Sequence, residues 1–231
     1  MNKLKNMLIA MIAIFALSTS AFAGTIGLGL TGNVAAISGS GTGTEGTAAD
    51  ESPQTAEVSD TTGIVSLFAE YTFDRFNGFT LGIDLIPGSA QVSNGFTRTD
   101  TNNAHLEETG GATSTTRKAQ AEVENHYTYY AELPIHGGLY VKAGMVTMDV
   151  NTLDTGGNSR YGNTDVDGTL IGAGYKNEIG SNSYYKIEGT RTTFDTIKLN
   201  STGGLGTIVN NSTVSADLDV TKVSFALGYK F

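Results

Sequence analysis

The last ten residues alternate without a break. Val223, Phe225, Leu227, Tyr229 and Phe231 share one face, and Lys222, Ser224, Ala226, Gly228 and Lys230 share the other. A period of two is the repeat of a β-strand, whose successive side chains leave on opposite sides. The same repeat recurs along the chain. It opposes Ile26, Leu28 and Leu30 to Thr25, Gly27, Gly29 and Thr31, and Val65, Leu67, Ala69, Tyr71 and Phe73 to Ser66, Phe68, Glu70 and Thr72. It opposes Phe79, Leu81, Ile83 and Leu85 to Thr80, Gly82 and Asp84, and Leu139, Val141, Ala143 and Met145 to Tyr140, Lys142 and Gly144. The pattern predicts eight strands, over 25–37, 63–74, 79–92, 119–135, 139–152, 166–179, 184–200 and 215–231.

The connections alternate in length. Those at 75–78, 136–138 and 180–183 are short. Those at 38–62, 93–118, 153–165 and 201–214 are long and rich in Thr, Ser, Gly and Asn. Antiparallel neighbours joined in this way form an up-and-down meander, and an even number of strands lets it close. A soluble two-sheet sandwich would alternate as well. Its polar faces would be crowded with Lys and Glu, whereas these are mostly Gly, Ser and Thr with single charges. Small residues suit the inside of a tight eight-stranded barrel. The expected fold is therefore all-β, an eight-stranded antiparallel up-and-down barrel with its apolar face toward lipid. Aromatic residues gather at the short-turn ends (Tyr71, Phe73, Phe79, Tyr175, Tyr185, Tyr229 and Phe231), where an interfacial girdle would lie.

Residues 1–23 have a different character. Lys3 and Lys5 precede the apolar run Leu8–Leu17, and Ala21-Phe22-Ala23 has the small-x-small pattern of a cleavage site. This reads as a secretory signal peptide, which leaves 24–231 as the barrel domain. The run is too short to span a bilayer as a helix. Without it the chain has 12 basic and 23 acidic residues, a formal charge of −11. An acidic surface repels phosphate, so nucleic acid is not an expected partner. The absence of Cys excludes disulfides and thiolate chemistry.

The inward face carries charges that nearly cancel. Glu70, Asp84, Glu132, Glu178 and Glu188 oppose Lys142, Lys176, Lys186, Lys222 and Lys230. Charges withdrawn from water must be paired, so an interior ion-pair network is expected. Arg191 shares parity with Tyr185 and Ile187 and would point at lipid. It belongs either at the outer rim or on a bulge that turns it inward.

The cleavage pattern, the eight alternating strands and the terminal Phe231 together resemble the small outer-membrane β-barrel family of Gram-negative bacteria, of OmpA-, OmpX- and Opa-type. The segment Val223–Phe231, with Phe225, Leu227, Tyr229 and Phe231 on one face, is similar to that family's C-terminal assembly signal. The resemblance implies insertion into the outer membrane and contact with its lipids and lipopolysaccharide. It also implies recognition of the last strand by the barrel assembly machinery. It does not fix an activity.

Other candidate sites are weaker. Gly27-Leu28-Gly29-Leu30-Thr31-Gly32 matches G-x-G-x-x-G but lies inside a strand with no helix after it, so no nucleotide site is expected. His126 and Thr128 share a predicted face with Glu122, Glu124 and Glu132, and the His-x-Thr spacing faintly resembles the His-x-Ser of an outer-membrane lipid A deacylase. Alternation in a Thr-rich strand produces such triplets without catalysis. His105 and His136 fall in connections. Asp165, Asp167, Asp217 and Asp219 lie near outer strand ends but lack a defined calcium-loop spacing. The expectation is a non-enzymatic protein with no catalytic, cofactor-binding or metal residues. It would act in membrane integrity or surface display, as in adhesion or phage reception through its connections. A small porin-like diffusion channel is the alternative, and a lipid-modifying enzyme the weaker one.

Overall fold

The computed structural model describes residues 24–45, 52–102, 113–153, 160–202 and 213–231. The segment 1–23 lies outside them, as do His105, Glu107 and Glu108. The strands are β1 (Gly24–Glu45), β2 (Ser52–Phe73), β3 (Phe79–Ile86), β4 (Ala90–Asn102), β5 (Thr113–His136), β6 (Leu139–Thr152), β7 (Arg160–Tyr161), β8 (Thr164–Ile179), β9 (Ser183–Phe194), β10 (Ile197–Thr202) and β11 (Thr213–Lys230). Eight of them form an antiparallel ring in the order β1-β2-β3-β5-β6-β8-β9-β11. The ring closes where β11 pairs with β1, from Gly27↔Lys230 to Thr44↔Thr213. β4 carries the line of β3 onward along β5, and β10 carries that of β9 along β11. The fold is an eight-stranded antiparallel β-barrel.

The long connections are shorter than the sequence suggests. β1 and β2 stay paired from Gly24↔Phe73 to Glu45↔Ser52, so much of 38–62 is strand. β4 and β5 take up much of 93–118 in the same way. Thr and Val favour extended backbone, and the polarity of the Thr and Ser residues marks exposure to water rather than a loop. Two predicted strands are interrupted. The stretch 79–92 breaks at Pro87–Ser89, where Pro87 cannot donate to the ladder and Gly88 has φ +86°. The stretch 184–200 breaks after Phe194. Beyond Leu67↔Leu85, β2 has no ladder with β3 or β4 among the described residues.

The apolar face changes sides along the barrel. Toward the short turns it points outward: Leu28, Leu30, Val65, Leu67, Val141, Met145, Ile171, Val223, Phe225 and Leu227 are 42–63% exposed. Toward the long connections it points inward. There Val146, Met148, Val150, Val166, Leu170 and Phe194 form a buried cluster, flanked by Ala121, Val123, Ile197, Leu218 and Val220. The outward positions at this end are Thr147, Asp149, Asp165, Asp167, Thr221 and Asp219, set by their alternation with the buried ones. The expectation of a small, polar lining throughout is therefore corrected. It holds for the short-turn half, and the other half is filled with hydrocarbon.

The aromatic groups at the short-turn end touch one another. Tyr229 and Phe231 lie edge to face at 5.0 Å, as do Tyr71 and Phe73 at 4.7 Å. Tyr185 stacks on Phe225 at 6.2 Å. Phe76, in the one-turn 3-10 helix after β2, extends this group at 5.9 Å from Phe73.

Candidate functional site

Among the described residues, the lumen is where the barrel brings charged side chains together out of water. Glu70 of β2, Glu132 of β5, Lys142 of β6, and Lys186 and Glu188 of β9 are all at least nine-tenths buried. Even parity on each strand aims them inward, and the antiparallel register sets them side by side. Glu132 is opposite Lys142, and Lys176 of β8 is opposite Lys186. The Lys186 ammonium lies 2.8 Å from Glu70, 2.9 Å from Glu132 and 3.6 Å from Glu188. Lys142 donates to both Glu188 oxygens at 2.9 and 3.0 Å and lies 3.7 Å from Glu132. Lys176 is 2.6 Å from Glu70.

Aromatic residues complete this layer. The Tyr130 hydroxyl donates to Glu70 at 3.2 Å, and the Tyr140 hydroxyl donates to Glu188 at 2.5 Å. Ring faces solvate the ammonium groups. Lys142 sits 3.8 Å from the centre of Tyr130, Lys176 lies 4.4 Å from that of Tyr184, and Lys186 lies 4.6 Å from that of Phe68. Inward glycines make room for the rings. A methyl group on Gly82 would overlap Tyr130, one on Gly174 would overlap Tyr140, and one on Gly27 or Gly228 would overlap Tyr184. Gly27 and Gly29 of the G-x-G-x-x-G segment thus lie under the rings of Tyr184 and Phe68.

The other sequence-predicted residues fall elsewhere. Glu178 and Lys230 pair with each other at the short-turn mouth, outside the central layer, and Glu178 is 62% exposed. Lys222 and Asp84 are inward but set apart from that layer, with Asp84 accepting from Ser66 at 2.8 Å. Arg191 points outward at the edge of the apolar belt. It lies 3.4 Å from Asp219 and is 62% exposed; β9 has no register shift to turn it inward. Arg191→Ala should therefore change unfolding stability by less than about 1 kcal/mol, as heat- or urea-induced loss of the folded band would show.

The grouping of Glu122 and Glu124 with His126 and Thr128 is corrected. Asn125, at φ +50°, bulges the strand, and the β5–β6 register shifts between Glu124 and Tyr127. One extra residue flips parity. Val123 then points inward opposite Val150, while Glu122 and Glu124 turn outward beside Asn151 and Asp149. His126 Nδ1 and Thr128 Oγ1 are buried without hydrogen-bond partners. Glu124, Asp149 and Asp165 are direct cross-strand neighbours on the outer face. Among the described residues no set of three or more His, Asp or Glu converges as metal ligands.

Along the barrel axis, four layers follow from the short-turn end. The first is an open vestibule of about 550 Å³, floored by Glu70, Glu132, Lys176 and Tyr184. The ion-pair layer comes next, then a small cavity of about 20 Å³, and then the apolar cluster.

No family model matches the chain, and no curated protein matches it. Solved structures do. The structure of outer membrane protein OprG from Pseudomonas aeruginosa aligns over 91% of this chain and 97% of its own, with a TM-score of 0.51 and 12% identity. The outer membrane protease OmpT of Escherichia coli aligns over 93% of this chain and 100% of its own, at a TM-score of 0.45 and 9% identity. Ail, the attachment invasion locus protein of Yersinia pestis, aligns over 88% and 99%, at 0.34 and 11%. This chain has the fold of the small outer-membrane β-barrels. Identities this low carry the fold and no particular activity.

Proposed function

We propose that the protein is an integral outer-membrane barrel with a structural and surface-interaction role and no enzymatic activity. The change of apolar face along single strands supports the membrane reading. A wall that is apolar outside in one half and apolar inside in the other is built for two solvents, hydrocarbon and then water. The belt from Leu28 and Tyr229 to Val34 and Val223 then contacts outer-membrane lipid, with the short turns in the periplasm. Asp149, Asp165, Asp167 and Asp219 stand at the level of lipopolysaccharide headgroups. The last strand, with Phe225, Leu227, Tyr229 and Phe231 outward, is what the barrel assembly machinery would read. The connections, 103–112 among them, are what a host surface or phage would meet.

The blockage of the lumen supports a wall over a pore. The ion-pair layer and the apolar cluster close it in series, and aqueous channels are usual at 16–18 strands rather than eight. Purified protein in a planar lipid bilayer should give no steady unitary conductance. Regular unitary steps would replace this reading with the diffusion channel. Against the lipid-enzyme reading, the bulge at Asn125 leaves only Glu132 on the face of His126, and that carboxylate is already engaged by Lys186 at 2.9 Å and Lys142 at 3.7 Å.

A further inference from the structure

The polar side chains of the lumen form two hydrogen-bonded groups that do not touch among the described residues. The lower group holds Glu70, Glu132 and Glu188 with Lys142, Lys176 and Lys186. The upper one runs across the closing strands. Ser224 donates to Asn33 at 2.6 Å, Asn33 donates to Ser66 at 3.4 Å, and Ser66 donates to Asp84 at 2.8 Å. The 20 Å³ cavity lies between the groups. Lys142, Lys186 and Glu188 reach it from below, and Asn33, Asp84 and Ser224 from above.

Three more polar side chains line this cavity, and two of them have hydroxyls left unfilled. Thr128 and Thr190 are 2% and 6% exposed, and their hydroxyls have no partner. Lys222 is 8% exposed and makes no ion pair among the described residues, although Asp84 attracts it through space. Buried polar groups left in this state are costly unless something satisfies them.

We propose that the cavity is an internal hydration site, in which one water joins the two groups through Thr128, Thr190 and Lys222. Volume sets the number, because a cavity needs roughly 10–15 Å³ to admit one water centre. Charge sets the identity. Four buried or half-buried carboxylates, of Glu70, Asp84, Glu132 and Glu188, balance the four ammonium groups of Lys142, Lys176, Lys186 and Lys222. An inorganic ion of either sign would leave the lumen charged. Lysine only donates, a carboxylate only accepts and a hydroxyl does both, so the occupant must donate and accept. Water does so while neutral. It ties the β1–β11 seam, through Asn33 and Ser224, to the opposite wall.

Diffraction from the detergent-purified barrel, at a resolution that shows ordered solvent, tests this. The expected result is one solvent peak within hydrogen-bonding distance of Lys222 Nζ and at least one of the two threonine hydroxyls. An empty cavity, or a halide identified there by anomalous scattering, would overturn it. The double variant Thr128→Val, Thr190→Val keeps the shape and removes both hydroxyls, and should lose the peak; a retained peak refutes the bridge. The wild-type barrel in micelles supplies a test independent of any variant. Magnetisation should pass from a long-lived water to the methyl groups of Thr128 and Thr190, and its absence counts against the site.

Discussion

Lys186→Met should destabilise the barrel by about 3–5 kcal/mol, the usual cost of removing one partner from a buried ionic cluster. Lys186 is 2% exposed and, among the described residues, is the only ammonium within 4.0 Å of all three carboxylates of the layer. Its loss leaves Glu132 with Lys142 alone, at 3.7 Å, and Glu70 with Lys176 alone. Met fills nearly the same volume, so the effect reports charge rather than packing. The midpoint of urea unfolding in lipid vesicles should fall well below wild type. Lys198→Met, at an exposed position on β10, should scarcely move it. Adding Glu70→Gln to Lys186→Met should recover part of the loss, since it removes one of the stranded charges. Glu132→Gln should likewise cost more than Glu57→Gln, which is exposed on β2. Equal losses at buried and exposed positions would sink the reading of the lumen as an obligate ion-pair layer.

Gly228→Ala is expected to cost about 1–3 kcal/mol, the range for forcing a methyl group into a filled interior. The added carbon would overlap the Tyr184 ring, which also fills the space over Gly27 on the neighbouring strand. The residue lies in β11, where the ring closes, so slower appearance of the detergent-resistant folded band should accompany the loss. Gly189→Ala provides the contrast. Its added carbon meets no other atom within 4 Å, and the change should be nearly silent. Combining Gly228→Ala with Tyr184→Ala should give less than the sum of the single effects, because the second change removes the obstacle to the first. Strict additivity would show that the glycine is not there to admit the ring.

Much of the barrel could be read from the chain because a strand displays both of its faces in the order of its residues. The runs 24–31, 63–73, 79–85, 139–145 and 222–231 gave the right faces. Parity alone then placed Glu70, Glu132, Lys142, Lys186 and Glu188 inside. Parity fails wherever one residue is inserted. Asn125 is such an insertion, and a lone Asn in a Thr- and Glu-rich stretch is a faint signal even though Asn tolerates positive φ. Pro87-Gly88 is a clear signal of interruption, and the apolar positions change parity across it, from odd positions ending at Leu85 to Ala90 and Val92. The apolar cluster was also visible. Apolar residues occupy odd positions from Leu139 to Met145 and even positions from Val146 to Val150. That change of phase marks where the surrounding medium changes, and it is legible only if each strand is allowed two solvents. Neither the side-by-side approach of the lysines nor the unfilled hydroxyls of Thr128 and Thr190 could be read, since both depend on the register between strands distant in sequence.

The phase change means that the two ends of each staple-like strand are held by different forces. Near the turns, the hydrocarbon outside is no worse a neighbour for Val223 or Leu227 than another side chain would be, so cohesion there rests on backbone ladders and ionic contacts. Around Phe194 and Leu170, cohesion comes from water's rejection of oily surface. That force weakens on cooling and with chaotropes. The outward-reaching end is thus the softer one in cold or urea-rich surroundings, while the girdled end keeps the seal.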